Sequence, residues 1–242
     1  MTSISQSNSQ HPHLPSSQQF DFAAGEMLLV DKPLEWTSFD VVKKMRGLVK
    51  VKKVGHAGTL DPLATGLLVL CTGKMTKQIE RFQGMEKAYE GTLVLGKTTP
   101  SIDLETDFDS DHPTEHVTLP QLEEARQKFI GLISQIPPQH SAIKVDGRRV
   151  YKSARQGKKV EIKPREVHMK AFDFTETTLP EIRFSVVCSK GTYIRSLVRD
   201  LGQELGVGAY LKELRRTRIG HLNVSDAHTI SEWSTLLKPS EE

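Results

Sequence analysis

The chain has 242 residues, 37% hydrophobic and 26% charged, which is a globular composition and excludes a low-complexity or predominantly membrane-spanning chain. A chain of this length buries roughly 70% of its unfolded surface, enough for one large domain or two intimate subdomains. The net charge of +3 conceals two opposite blocks: ten Lys or Arg against three acids over 144–170, and eight acids against one base over 101–126. The basic block has the character of a polyanion-binding surface.

Residues 1–24 hold six Ser, four Gln and one charge, Asp21, without a basic leader or an apolar stretch. They read as a disordered tail, neither a secretory signal nor a spanning helix, in which His11 and His13 are solvent-exposed. Glu26 to Val30 reads as a strand. Ser38 to Val49 reads as a helix capped by Thr37 or Ser38, with Val41, Val42, Met45, Leu48 and Val49 on one face. Leu67 to Cys71 is a buried strand by its continuous apolar run, Thr76 to Gln83 a short helix, and Ala88 to Leu95 an alternating strand. After the acidic connector, Leu122, Ala125, Phe129, Ile130 and Ile133 have helical spacing. Ile143-Lys144-Val145 before Asp146-Gly147 signals a hairpin, and Val167–Phe174 and Ile182–Cys188 read as strands. Ile194, Leu197, Val198, Leu201 and Leu205 form the stripe of a helix ending near Gly206. Strands and helices without a regular βαβ repeat predict an α+β fold with a mixed sheet. Two cysteines, Cys71 and Cys188, lie 117 residues apart in apolar segments, without the spacing of a zinc site or redox pair, and fit reduced thiols in the cytoplasm.

The segment from Gly55 to Cys71 carries the chemistry. Three glycines and Pro62 within twelve residues prescribe tight turns and close backbone approach, and Asp61 stands among residues that packing alone does not explain. Asp-Pro pairs often initiate turns, so the surrounding pattern decides the reading. Other signals fail: Gly73-Lys74 lacks the earlier glycine and the following hydroxyl of a P-loop, and Gly202, Gly206 and Gly208 follow a helix rather than a strand. No Ser/His/Asp or Cys/His constellation stands out.

The run Gly55-His56-Ala57-Gly58-Thr59-Leu60-Asp61-Pro62-Leu63-Ala64-Thr65-Gly66-Leu67-Leu68 resembles the signature of the TruB family of tRNA pseudouridine synthases. Further matches lie at Asp31-Lys32-Pro33 before Thr37-Ser38, at Lys87 to Gly91, at Gln135 to Pro138 with Ser141-Ala142, and at Ser189 to Leu197, so that the resemblance spans about residues 26–222. It implies the pseudouridine synthase fold, α+β with a central mixed, mainly antiparallel sheet, flanking helices and a catalytic cleft. The implied domain covers 25–233, with an RNA-binding insertion at about 140–168 and a C-terminal tail at 234–242.

The implied activity is isomerisation of the T-loop uridine, position 55 of tRNA, to pseudouridine, with no metal and no cofactor. The T stem-loop would be the partner, with no membrane association and no obligate protein partner, and the protein would be a monomer. The resemblance makes Asp61 the nucleophile, acting on the sugar or on the base, Arg195 its cationic partner, and Tyr193 a residue against the target base that assists C5 proton removal. It also implies that Tyr89 stacks on the flipped uracil, that His56 fills the space the base leaves, and that Lys32, Lys77 and Asp103 brace the cleft or touch RNA. Lys158, Lys159 and Lys163 in the basic segment, with Arg215 and Arg216 extending that surface, would meet phosphate. Two departures from the pattern, Glu35 and Thr106 where relatives often have glycine, predict locally altered turns. The 20 residues after Leu222 are too few for the PUA domain many relatives carry. The competing reading is a non-catalytic structured-RNA binder or tRNA-folding helper, which would have no need of an ionised buried carboxylate.

Overall fold

The structure, a computed structural model, describes residues 20–141, 143–145, 148–150 and 160–238. Its frame is a nine-stranded sheet ordered β1 (Met27–Lys32), β3 (Ala64–Thr72), β12 (Ala209–Ile219), β4 (Lys87–Leu95), β11 (Glu181–Cys188), β10 (Arg165–Thr178) and β7 (Gly131–Gln135). Short β2 (Val54–His56) joins β3, and β13 (Leu222–Asn223) joins β12. Every pairing is antiparallel except that of β3 with β12, so the sheet is mixed and mainly antiparallel as expected. Two small ribbons stand apart, β5 (Lys97–Thr98) with β6 (Ser110–Asp111) and β8 (Lys144–Val145) with β9 (Arg148–Arg149); the latter is the anticipated hairpin.

The apolar run in β3 is continuous because both its faces are covered. Leu68 and Leu70 pack with Val41, Val42 and Met45 of helix α1 (Ser38–Val49), while Leu67, Val69 and Cys71 turn to Phe82, Ile219 and Leu222. Each fully buried Leu or Val contributes about 1.5–3 kcal/mol. Thr37 caps α1 through a reciprocal pair with Asp40, and Lys50 at φ 53° ends it. A 3-10 turn over Gly73–Gln78 leads into α2 (Ile79–Gly84), a little beyond the helix expected there. Helix α4 (Ile194–Glu204) lays Ile194, Leu197, Val198 and Leu201 onto Leu93, Phe184 and Val186 of the sheet, forming the second large core.

Three expectations change. Helix α3 is Leu119–Gln127 and excludes Phe129, Ile130 and Ile133. Gly131, at φ 92°, opens β7, where Ile133 pairs with Val167, so pairing with β10 overrides the helical spacing. Phe20 and Phe22, assigned to the tail, pack against the α1 core, with Phe20 edge-on to Trp233 at 6.0 Å. Helix α5 (Ile230–Leu236) runs through the anticipated boundary at 233, and Leu237 packs on the same core. Residues 1–19, Ala142, Asp146-Gly147, 151–159 and 239–242, with the expectations for the outer tail, Lys158 and Lys159, lie outside the described residues. No described helix is long and apolar enough to cross a membrane.

Candidate active site

Asp61 lies on the loop between β2 and β3, and both of its chain neighbours are fixed. The Ser38 hydroxyl at the start of α1 accepts from Leu60 N at 2.9 Å and donates to Leu60 O at 3.2 Å. On the other side, Pro62 O accepts from Glu35 N at 2.9 Å and from Lys32 Nζ at 3.2 Å. Lys32 is fully buried and donates also to Pro33 O and Trp36 O, so it braces the loop that carries Asp61. Burial lowers its ammonium to about 8 against the pull of the Asp61 charge.

The loop also needs its glycines. Gly66 takes φ 100° and lies opposite Arg216 in the parallel β3–β12 pair, where an added Cβ would stand 2.3 Å from Arg216 O. Glu35, at the position expected to alter its turn, adopts φ 65°, so the turn keeps the left-handed geometry suited to glycine. Thr106 is absorbed constructively: its hydroxyl accepts from Ser101 N at 3.1 Å.

Across the cleft, the turn into α4 supplies Tyr193 and Arg195. Gln135 Oε1 accepts from Tyr193 N at 2.8 Å and fixes the helix start. Arg195 is 3% exposed, with Nε 2.9 Å from Asp61 Oδ2 and 3.6 Å from Asp103 Oδ2. Its Nη1 donates to Ser101 O at 2.9 Å and its Nη2 to His140 O at 2.7 Å, so carbonyls from two segments orient the guanidinium. Next to Asp103, buried Ile102 sits at φ 67°, an unusual conformation for a β-branched residue and one held by hydrogen bonds to Thr99 and Leu211. Burial raises the Asp61 carboxyl above its ordinary range, Arg195 opposes this, and the Asp103 charge adds to it.

Asp61, Tyr89, Tyr193 and Arg195 line one cleft of about 320 Å³, together with Lys87, Arg165, Leu214 and Arg216. The profile of the TruB family pseudouridylate synthase N-terminal domain matches residues 46–194, and that of the tRNA pseudouridylate synthase B C-terminal domain matches residues 195–240. The chain belongs to the TruB family. Relatives named tRNA pseudouridine synthase B include one from Phocaeicola vulgatus, 52% identical over 91% of this chain and 97% of its own length, and one from Flavobacterium johnsoniae, 50% identical over 90% and 98%. Among solved structures, a chain in a Cbf5-Nop10-Gar1 complex superposes with a TM-score of 0.70 at 26% identity, over 95% of this chain and 60% of that one.

Within this TruB family site the remaining residues divide clearly. Asp103 reaches Arg195 from behind, outside the cleft lining, and so acts as a brace. His56 ends β2 away from that lining; burial lowers its imidazole below the ordinary value, a backbone hydrogen bond with Gly58 opposes this, and the nearby Arg216 charge adds to it. Lys77 is exposed on the 3-10 turn and Lys163 is exposed before β10.

Arg215 and Arg216 do not form one RNA-facing surface. Arg215 pairs with Asp31 at 2.6 Å, and Arg216 is 1% exposed at the base of the cleft. Alternation along a strand separates the two. Sequence reasoning missed three participants. Arg165 lies over the Tyr193 ring at 4.7 Å, Lys87 donates to Gln83 O and Met85 O at 2.6 Å each, and Gln135 holds Tyr193. Lys87 and Gln135 belong to quoted motifs, whereas only its charge singled out Arg165. Among the described residues, no cluster of three His, Cys, Asp or Glu side chains could hold a metal ion.

Proposed function

We propose that this protein isomerises the T-loop uridine, position 55 of tRNA, to pseudouridine, with the Asp61 carboxylate as nucleophile. The observation that carries this reading is the pairing of Asp61 with buried Arg195 in the cleft, on a loop whose two adjacent residues are clamped. Family membership and the names of relatives of nearly equal length support tRNA as the substrate.

The target uridine leaves its stack and enters the cleft, at a cost of a few kcal/mol. Asp61 attacks the sugar carbon C1′, and the C1′–N1 electron pair stays on the uracil. Arg195 favours the ionised carboxylate against desolvation. Tyr89, half-buried, offers its ring to the base, and Tyr193, its face covered by Arg165, closes the other wall. The uracil turns, C5 bonds to C1′, the ester bond to Asp61 breaks, C5 loses its proton with help from Tyr193, and N1 takes one up. No oxidant or hydrolytic water is consumed. His56 and the basic segment around Lys158, Lys159 and Lys163 meet the opened loop and its phosphates.

The test is pseudouridine mapping of bulk tRNA from cells carrying the wild type or Asp61→Asn. Loss of the modification at position 55 alone is the expected outcome. Normal modification with Asp61→Asn as the only source of the enzyme removes Asp61 from the chemistry.

A further inference from the structure

Besides Arg195, three cations are buried around the base of the cleft: Lys32, Lys87 and Arg216, at 0, 7 and 1% exposure. Among the described residues none of them is in an ion pair with a carboxylate; they are held by backbone carbonyls instead. Burying an unpaired charge is costly unless hydrogen bonds or an incoming anion offset it. Lys32 has an evident structural task on the catalytic loop. Lys87 and Arg216 line the cavity itself.

Arg216 is aimed. Its Nε donates to Leu67 O at 2.8 Å and its Nη2 to Gly58 O at 3.1 Å, which leaves donor capacity toward the cleft. It lies directly opposite Tyr89 in the β12–β4 register, with its guanidinium against the Tyr89 hydroxyl. Tyr89 and Leu214 make this end of the cavity aromatic and apolar, suited to a planar base rather than a phosphate. Burial, with the Arg216 charge adding to it, brings the Lys87 ammonium down to about 8, so the fixed positive charge at this end of the cavity rests on Arg216.

Resting on the reaction described above, we propose that Arg216, supported by Lys87, is a catalytic residue that holds the uracil anion formed when the C1′–N1 bond breaks. The pair left on N1 spreads to the two carbonyl oxygens of the ring, to which guanidinium N–H groups donate. Fixed donors in a closed site stabilise developing charge without reorganising. When C5 bonds to C1′, the ring becomes neutral with a double bond between N1 and C6 and hydrogen still on C5. Proton loss from C5 and uptake at N1 complete the isomerisation. The anion therefore exists only while the base is detached, and that interval is when an unpaired cation is most useful.

The experiment compares single-turnover cleavage of T-arm stem-loops carrying uridine or 5-fluorouridine at the target, read as loss of the starting nucleoside by digestion and mass spectrometry. Fluorine withdraws charge from the ring and stabilises the anion by itself. Arg216→Lys is expected to slow the uridine substrate at least a hundredfold and to show a loss at least tenfold smaller on 5-fluorouridine. Lys87→Met should shift in the same direction with a smaller loss.

Equal losses on both RNAs, in variants with wild-type unfolding temperature and RNA affinity, overturn the proposal. Should both variants unfold, NMR titration of the wild type decides: the more acidic free base, 5-fluorouracil, should bind at least fivefold more tightly than uracil at one pH, and equal binding overturns the inference. Asp61→Asn should be inactive on both RNAs in either case. Its turnover would instead overturn the assignment of the nucleophile.

Discussion

The Nε of Arg195 lies 2.9 Å from Asp61 Oδ2, and the same nitrogen lies 3.6 Å from Asp103 Oδ2. One buried guanidinium thus serves two carboxylates, of which Asp61 opens to the cleft while Asp103 is enclosed behind it. Asp103 fixes the arginine at the cost of setting a like charge near Asp61, and Arg195 offsets part of that cost. Removing Arg195 would leave Asp103 buried without its cation, a loss on the order of 3–5 kcal/mol.

This arrangement sets a pH dependence with a defined sign. With Asp61 as the proposed nucleophile, its protonation removes the reacting charge, so kcat/KM should fall as pH falls through its pKa, and burial places that fall above the ordinary carboxylate value. Asp103→Asn removes a raising charge and should move the acid limb to lower pH. Arg195→Met removes a lowering one and should move it to higher pH on a much reduced rate. Profiles of kcat/KM for the three proteins decide, and movement of both variants in one direction would show that the limb belongs to another group.

The Phe20 and Trp233 contact predicts a dependence on the N-terminal segment. Trp233 is 4% exposed, donates Nε1–H to Leu29 O at 3.0 Å, and meets Phe20 at 6.0 Å and His228 at 5.2 Å. Trp233→Ala should cost about 3–5 kcal/mol. Deleting residues 2–22 should lower the unfolding temperature relative to deleting residues 2–18, because only the longer deletion removes both stacked phenylalanines. Equal unfolding temperatures for the two deletions would mean that the phenylalanines contribute nothing.

Glu35 gives a test of local strain. A left-handed conformation costs a non-glycine residue about 1–2 kcal/mol, whereas glycine loses about 0.5–1 kcal/mol of chain entropy on folding. Glu35→Gly should therefore leave stability unchanged or raise it by up to about 1.5 kcal/mol, and Glu35→Val should lower it. Denaturant midpoints measure both, and a clear loss with glycine would show that the Glu35 side chain supports the loop.

Local rules made α1 legible from end to end, because its cap, its apolar face and its extent all reside in the segment Thr37–Lys50. The catalytic loop was legible because its glycines and Asp61 form one contiguous pattern. Strand β12 was not. Its Lys212, Glu213, Arg215, Arg216 and Arg218 look like surface, and irregularities between Leu211 and Glu213 and between Arg216 and Arg218 break the alternation that would reveal a strand. Its central place comes from partners over a hundred residues away, β3 and β4, and that placement turns Arg216 from an expected phosphate contact into a cleft residue. Ile133 and the two phenylalanines were misassigned for the same reason: their partners are remote in sequence.

The basic segment predicts a salt dependence that separates phosphate binding from catalysis. Lys158, Lys159 and Lys163 lie in a stretch with ten basic and three acidic residues, whereas the cations Lys87 and Arg216 are buried and line the cleft. Neutralising the three lysines together should weaken tRNA binding and flatten the slope of log K against log salt by about 0.7–0.9 for each phosphate left without its lysine. The single-turnover rate at saturating enzyme should change much less, because the reacting atoms remain in the same cleft. Arg216→Lys should show the reverse, a large loss of rate with a nearly unchanged salt slope. Filter-binding titrations from low to moderate salt, paired with single-turnover rates, separate the two groups. A wild-type slope in the triple variant would show that these lysines do not meet the RNA backbone, and phosphate binding would then have to come from other basic residues of the fold.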